Sequence, residues 1–531
     1  MEEMVDYLFR EFLELLDVSD RTRLESVLFA NPPDRCLCAG GYSSAAPDIV
    51  AAFGSSTELG TVGLSMYLLG FAIGKSPRML SFAFPRILTL FDAGPMLLAP
   101  LSEYYGRNPV YIGSWFILVM FQIPLALAHN MPTVIVCRLI QGFGGSAPLT
   151  NTGGSISDVW ERNESGNAMM VYGLSSTFSP PMALVITGYL VLNEGWRNLF
   201  WALMGITGGI LIIMTLLLPE TRHSTILEKK AKAVRKTLVK EGVSREAADR
   251  ISDEHSMGSK RSMHTLFAVN LTRPFRFLFT EEITMAAAAY NGFIYGVVYL
   301  FNESFPLVFG SEEGHGFNVG QTGLTFLGIA IGALVAASFY PLQERYYLRC
   351  VAENGGKGVP EARMGQARFG ALLLPISLFW FAWTSYRSIH WIVPIIGSSL
   401  FGAGIYIVIL GVLNYVVDSY QTYSASALAG VILVRNVVGC IFPLFAVSPS
   451  SASESDPRSV SSRQVADKPS QRQMYERLGF QWASTLLAFL SLLFVPIPIW
   501  WFYKGRALRL KSPFARYVKS VLRLMLKGGL T

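Results

Sequence analysis

Arg197-Asn-Leu-Phe-Trp-Ala-Leu-Met-Gly-Ile-Thr-Gly-Gly-Ile-Leu-Ile-Ile-Met-Thr-Leu-Leu-Leu218 carries no charged side chain from Asn198 onward. At about 1.5 Å of rise per residue, such a stretch in helix spans about 30 Å, the thickness of a bilayer's hydrocarbon core. Only helices and closed barrels satisfy their own backbone in lipid. The apolar residues here are continuous rather than alternating, so the stretch predicts a helix.

The pattern recurs along the 531 residues. Apolar spans are expected at 57–74, 95–102, 109–128, 132–155, 167–192, 197–218, 283–306, 319–341, 369–386, 391–414, 425–446 and 480–502. The pieces at 57–74 and 95–102 read as one interrupted helix. The weakest span is 36–53, which contains Pro47, Asp48 and several small polar residues. Only 15% of the chain is charged, against about 25% in an ordinary soluble domain. The expected class is an all-α membrane protein.

Basic residues set the sidedness. Residues 219–280 carry 13 Lys/Arg against 7 acids, and 503–527 carry 8 Lys/Arg and no acid. The connections 103–108 and 342–368 are also basic or contain Arg, and all four fall on one side if every span crosses once. By the positive-inside rule that side is cytoplasmic. The expected organisation is a cytoplasmic segment 1–35, a membrane bundle 36–218, a basic loop 219–282, a second bundle 283–502 and a basic tail 503–531. Both termini are expected in the cytoplasm, and the +7 net charge is thereby assigned to membrane topology rather than nucleic acid.

Within the loop, Ile226–Lys240 reads as a basic surface helix. The tail opens on Ser512-Pro513, an N-cap and first-turn pair, and continues as an amphipathic stretch suited to anionic lipid. The start, Met1-Glu2-Glu3-Met4, lacks the basic and apolar regions of a signal peptide. The five cysteines (Cys36, Cys38, Cys137, Cys350, Cys440) show no metal-ligand spacing beyond one Cys-x-Cys pair and read as reduced packing residues.

Several polar motifs interrupt this pattern in a fixed order. Ala99-Pro-Leu-Ser-Glu103-Tyr-Tyr-Gly106-Arg107 lies between the second and third spans, and Arg138-Leu-Ile-Gln141-Gly142 lies in the fourth. Ser157-Asp158-Val-Trp160 follows. The fifth span holds Ser179-Pro180-Pro181-Met-Ala183-Leu-Val-Ile-Thr187-Gly188, and Leu218-Pro-Glu220-Thr closes the sixth. The second half contributes Tyr295-Gly-Val-Val-Tyr299-Leu-Phe-Asn302-Glu303, Pro360-Glu361-Ala-Arg363 and Asn414-Tyr-Val-Val-Asp418-Ser-Tyr420. Together these residues resemble the major facilitator superfamily, and within it the fungal multidrug and polyamine proton-antiporter branch, over about residues 41 to 513.

The resemblance implies two six-helix bundles around a central cavity that opens alternately to each side. It implies a cytoplasmic gating relay of Glu103, Gly106, Arg107, Arg138 and Asp158, with Asp158 the partner of Arg107. Arg138 inside an apolar run is expensive and marks a functional position, or else it pairs with a neighbouring carbonyl. Gln141, Asn151, Tyr172, Tyr295, Tyr299 and Glu303 are the implied substrate and proton pathway. Glu303 is either the coupling carboxylate or a residue at the rim of its helix. Arg435 is a second intramembrane charge, in the pathway or structural. Ser179, Pro180 and Gly188 stand in the family's fifth-helix packing motif, where Ser179, Ala183 and Thr187 replace glycines.

Three places depart from the family pattern. Residues 75–94 interrupt the second span, and removing them joins Gly74 to Pro95 and restores one helix. Residues 447–473 form a polar insert. Both can be back-translated to open on a splice-donor-like string, so retained introns account for both, with genuine insertions the alternative. The third departure is Asn31-Pro-Pro-Asp-Arg35, where the family has an apolar helix; a missing first exon is the corresponding expectation.

The sequence contains no phosphate-binding loop with Lys-Ser/Thr, metal cluster or nucleophile–base arrangement, which argues against an enzyme or an ATP-driven pump. By resemblance, the expected function is secondary active export of small organic compounds (drug-, toxin- or polyamine-like). Protons supply the energy and no cofactor is needed, in a monomer of the plasma membrane. Uptake by symport on the same fold is the first alternative. A non-transporting sensor is the second, and its connecting segment of about sixty residues is small for a signalling domain. A defective gene product is the third.

Overall fold

The computed structural model describes residues 37–72, 98, 101–102, 105–147, 155–156, 159, 165–240, 263–310, 314–420, 423–446, 480–512 and 514. Among these residues the regular structure is helical, with no strand. The first half contains α1 (37–53) and α2 (Thr57–Ala72), then α3 (Arg107–Met120, continuing as Gln122–Ala126) and α4 (Met131–Gly145). One helix, Ser165–Leu217, breaks at Gly195 (φ 78°) into α5 (165–194) and α6 (196–217). Two connecting helices follow, α7 (His223–Lys240) and α8 (Met263–Thr280).

The second half begins with α9 (Glu282–Phe309) and α10, which runs as Val319–Thr325, Leu327–Ser338 and Tyr340–Glu353. Then come α11 (Met364–Thr384), entered through a 3-10 turn at Pro360–Arg363, and α12 (Ile392–Tyr420). The last two are α13 (Ser424–Ala446) and α14 (Phe480–Phe494, continuing as Pro496–Lys511). Eight stretches among the described residues are long and apolar enough to cross a membrane, one of them α5 and α6 together. With the shorter α1, α2 and α4 they form two sets of six.

The first span is a packed helix. Cys38, Tyr42, Ala45 and Ile49 recur at helical spacing and are buried, whereas Asp48 is exposed at the far end. Composition alone ranks it last because of Pro47, Asp48 and its serines; Pro47 and Asp48 are exposed, while Ser44 hydrogen-bonds to Thr187 of α5. Several helices outrun their apolar spans, most of all α10, which was expected to end at 341 and reaches Glu353. The added turns are amphipathic, with Tyr347 and Val351 buried. Hydrogen-bonded propagation carries a helix past the residues that only hydropathy selects.

α8 was not expected from the sequence. Its Phe277 and Leu278 are buried, and Leu278 lies against Gly430 of α13. Each half has its own apolar core. One gathers Tyr42, Leu64, Val134, Ala183 and Leu203; the other gathers Phe301, Phe305, Phe381, Phe401 and Val412. The inserts 75–94 and 447–473, Asn31–Arg35 and the tail beyond Phe514 lie outside the described residues.

Candidate functional site: the cavity between the two halves

A cavity lies where the halves meet, with about 840 Å³ of non-protein space including the part continuous with solvent. From the first half it is lined by Ala39 of α1 and by Ser176, Thr177, Pro180, Pro181 and Leu184 of α5. α9 supplies Tyr295, Tyr299 and Asn302, and α13 supplies Arg435 and Asn436. Phe326, Ile329, Ile405 and Ile409 close the apolar wall. Adjacent prolines remove helix hydrogen bonds and favour a bend, and Pro180-Pro181 of α5 line the cavity at such a point. Tyr295 and Tyr299 lie one turn apart on α9, with ring centroids 6.4 Å apart.

The two intramembrane arginines are held differently. Arg138 is fully buried between the rings of Tyr42 and Tyr67, 4.6 Å and 4.2 Å from their centroids. Its Nη1 donates to the Cys38 carbonyl at 2.6 Å and its Nε to the Gly63 carbonyl at 3.4 Å. Arg435 is also buried, but it faces the cavity, with its guanidinium 4.1 Å from the centroid of the Tyr295 ring.

The halves also meet along α5. Gly188 packs so closely on α10 that an added Cβ would lie 3.0 Å from the Val319 carbonyl. Toward the other end, a Cβ on Gly166 would collide with the Glu344 carboxylate. The Tyr406 hydroxyl of α12 donates to the Met170 carbonyl at 3.5 Å. On the other side of the interface, Ser65 of α2 donates to the Cys440 carbonyl of α13 at 3.1 Å.

Charged residues tie the ends of helices within each half. Glu220, after α6, accepts the backbone N–H of Arg107 at 2.8 Å, of Asn108 at 3.3 Å and of Arg222 at 3.0 Å. Gly106 precedes α3 with φ 102°, and an added Cβ would strike the Glu220 carboxylate. In the second half, Arg363 at the start of α11 bridges Glu344 of α10 at 2.5 Å and Asp418 of α12 at 3.1 Å. Its guanidinium lies 3.5 Å from the centroid of the Tyr347 ring. Glu361 receives both Nε and Nη2 of Arg509 from the end of α14, at 2.6–3.0 Å. The third helix of each half is thus fastened to the sixth at the same end, as in folds built from two parallel repeats.

A sequence model of the Major Facilitator Superfamily matches residues 36–443. The chain belongs to that superfamily. It is 34% identical over 489 residues to the efflux pump FUB11 of Gibberella moniliformis, covering 92% of this chain and 73% of that one. To the major facilitator superfamily multidrug transporter mdrA of Aspergillus fumigatus it is 32% identical, covering 90% and 70%. The structure resembles the xylose transporter XylE from E. coli in a partially occluded inward-open conformation, with a TM-score of 0.53 at 14% identity over 89% of this chain and 96% of that one. It is a transporter and not an enzyme.

In this major facilitator fold Tyr295 and Tyr299 line the cavity, as does Pro180. Ser179 is buried beside Pro180, its hydroxyl turned back onto the Ser175 carbonyl. Gln141 is buried one turn from Arg138 and does not line the cavity; its amide oxygen and nitrogen have no hydrogen-bond partner among the described residues. Tyr172 lies apart, with Tyr111, Trp115 and Met169. Glu103, Asn151 and Asp158 lie outside the described residues, as does the side chain of Glu303, whose backbone belongs to α9.

Sequence reasoning gave no role to Glu220, Glu344, Glu361, Arg363, Asp418 or Arg509, although most of them sit in motifs it had singled out. The available signal was positional, since an acid or Arg stood at each of the corresponding helix ends in both halves. Asn302 and Asn436 were legible only as polar residues in apolar spans.

Proposed function

We propose that this chain is a proton-coupled exporter of small organic compounds. The observation that supports this reading best is the cavity whose walls come from both halves. A site shared between two bodies is opened to either side when they rock about it. The names of the relatives, efflux pump and multidrug transporter, favour export over uptake. The basic face, with α7 and the ends of α6 and α14, is the cytoplasmic one in this reading. The protein works as a monomer in the plasma membrane, with both termini inside.

The end-of-helix contacts of Arg107 and Arg363 act as latches that hold each half rigid, while Gly166 against Glu344 forms the cytoplasmic seal. Glu103 and Asp158 complete the relay beside Arg107. Glu303 is the coupling carboxylate, exchanging its proton as its hydration changes.

Purified protein in vesicles carrying an imposed pH gradient tests this. With labelled cationic, neutral and anionic aromatic probes, vesicles acid inside should accumulate substrate by exchange. Accumulation only in vesicles acid outside marks a symporter. No flux of any probe in either kind of vesicle overturns the reading.

A further inference from the structure

The cavity presents buried hydrogen-bond donors that have no acceptors. Arg435 and Asn436 are each 5% exposed, and Asn302 is 9% exposed. The Arg435 Nε and the Asn436 Nδ2 have no hydrogen-bond partner among the described residues. Arg138 donates to two backbone carbonyls and has a ring on either side, with only its Nη2 lacking a partner among the described residues. Among the described residues Arg435 has the Tyr295 ring alone. A buried guanidinium N–H without an acceptor is unfavourable, and one cation–π contact compensates only part of that. The imbalance is removed when an anionic oxygen enters the cavity.

Among the described residues no Asp or Glu lines the cavity. The cavity wall is largely apolar, with Pro181, Leu184, Phe326, Ile329 and Ile405, and Tyr299 offers a further aromatic face. Such a site suits a ligand with one anionic head and a flat or branched apolar body.

We propose that the cavity takes amphipathic organic anions, above all aromatic carboxylates, with the carboxylate on Arg435 and Asn436 and the body against the apolar wall. This rests on the transport reading, since it names what the same cavity carries.

The test compares two probes with one aromatic body and opposite heads, 2-naphthylacetate and (2-naphthylmethyl)trimethylammonium. Saturable binding of each is measured on the purified full-length protein in detergent. The carboxylate should bind at least tenfold more tightly. Arg435→Gln should remove that advantage, and Arg435→Lys should keep part of it. Equal or tighter binding of the cation, no saturable binding of the carboxylate, or undiminished carboxylate affinity in R435Q would each overturn the proposal. If R435Q does not fold, the wild-type comparison still decides. Proton-driven flux of the cation or a neutral probe, with no carboxylate binding, would leave the transport reading standing and this one refuted.

Discussion

Glu220 holds the start of a helix that lies 113 residues earlier in the chain, accepting the Arg107 backbone N–H at 2.8 Å. The same carboxylate takes the Asn108 and Arg222 N–H groups. A helix N-terminus leaves four backbone donors unpaired and carries partial positive charge, so a carboxylate from elsewhere serves as its cap. Asn108 strengthens the join, its Nδ2 donating to the Leu218 carbonyl at 2.5 Å. Removing this cap has a definite cost. Glu220→Ala should lower stability by about 0.5–2 kcal/mol, the usual range for a lost cap, while Glu220→Gln should lose less. Thermal unfolding in detergent reads the difference.

Arg363 supports a larger loss. Its guanidinium joins Glu344 and Asp418 with side chains only 4%, 8% and 12% exposed. Taking away one member of a buried network strands the rest without compensation, at about 3–5 kcal/mol. Arg363→Met should therefore destabilise more than Glu220→Ala. Arg363→Lys should rescue only partly, because one ammonium cannot reproduce the planar fork that bonds two carboxylates and stacks on Tyr347. Denaturation midpoints of the three variants give the ranking.

The α1–α5 seam shows how replacement of the family glycines on α5 is tolerated. A Cβ on Gly41 would come within 2.9 Å of the Thr187 Cγ2, and one on Gly40 within 3.3 Å of the Ala183 Cβ. The side chains gained on α5 are received by glycines on α1, and the Ser44 and Thr187 hydroxyls hydrogen-bond at 3.1 Å. Gly41→Ala should cost about 1–3 kcal/mol by overpacking. Adding Thr187→Ser removes the offending methyl and should recover most of it. An additive double mutant would show that the two residues do not meet this way.

The membrane class, the division into two halves and the helix order were legible because hydropathy over about twenty residues is a strong local signal. Helix ends were less legible, as α8 and the last turns of α10 show, because amphipathic helix carries no continuous apolar run. Of the site, Tyr295 and Tyr299 were reached through the family resemblance of their helix. Their relation to Arg435 could not be read, since α9 and α13 are more than a hundred residues apart in the chain. The latches share that difficulty: Glu220 and Arg107, or Glu361 and Arg509, are paired only by the fold.

His315 gives a prediction outside the membrane core. Its Nδ1 lies 3.0 Å from the Val308 carbonyl and its Nε2 3.0 Å from the Ile389 carbonyl, joining the α9–α10 turn to the α11–α12 turn. Two acceptors face two ring nitrogens, and neutral imidazole has one N–H to donate. His315→Phe fills the space without either bond, so protease cleavage at the α11–α12 turn should become several-fold faster. Unchanged cleavage would show that the bridge does not hold the turns together.

Whether the two halves move about the cavity is most directly measured by bridging them. Met170 of α5 and Tyr406 of α12 meet across the interface. In a chain whose own cysteines are replaced, M170C and Y406C would be joined by a short reducible linker, and proton-driven uptake of the three classes of probe followed in vesicles. Uptake should stop when the bridge is closed and return when it is reduced. Uptake that continues undiminished through a closed bridge would contradict alternating exposure of this cavity.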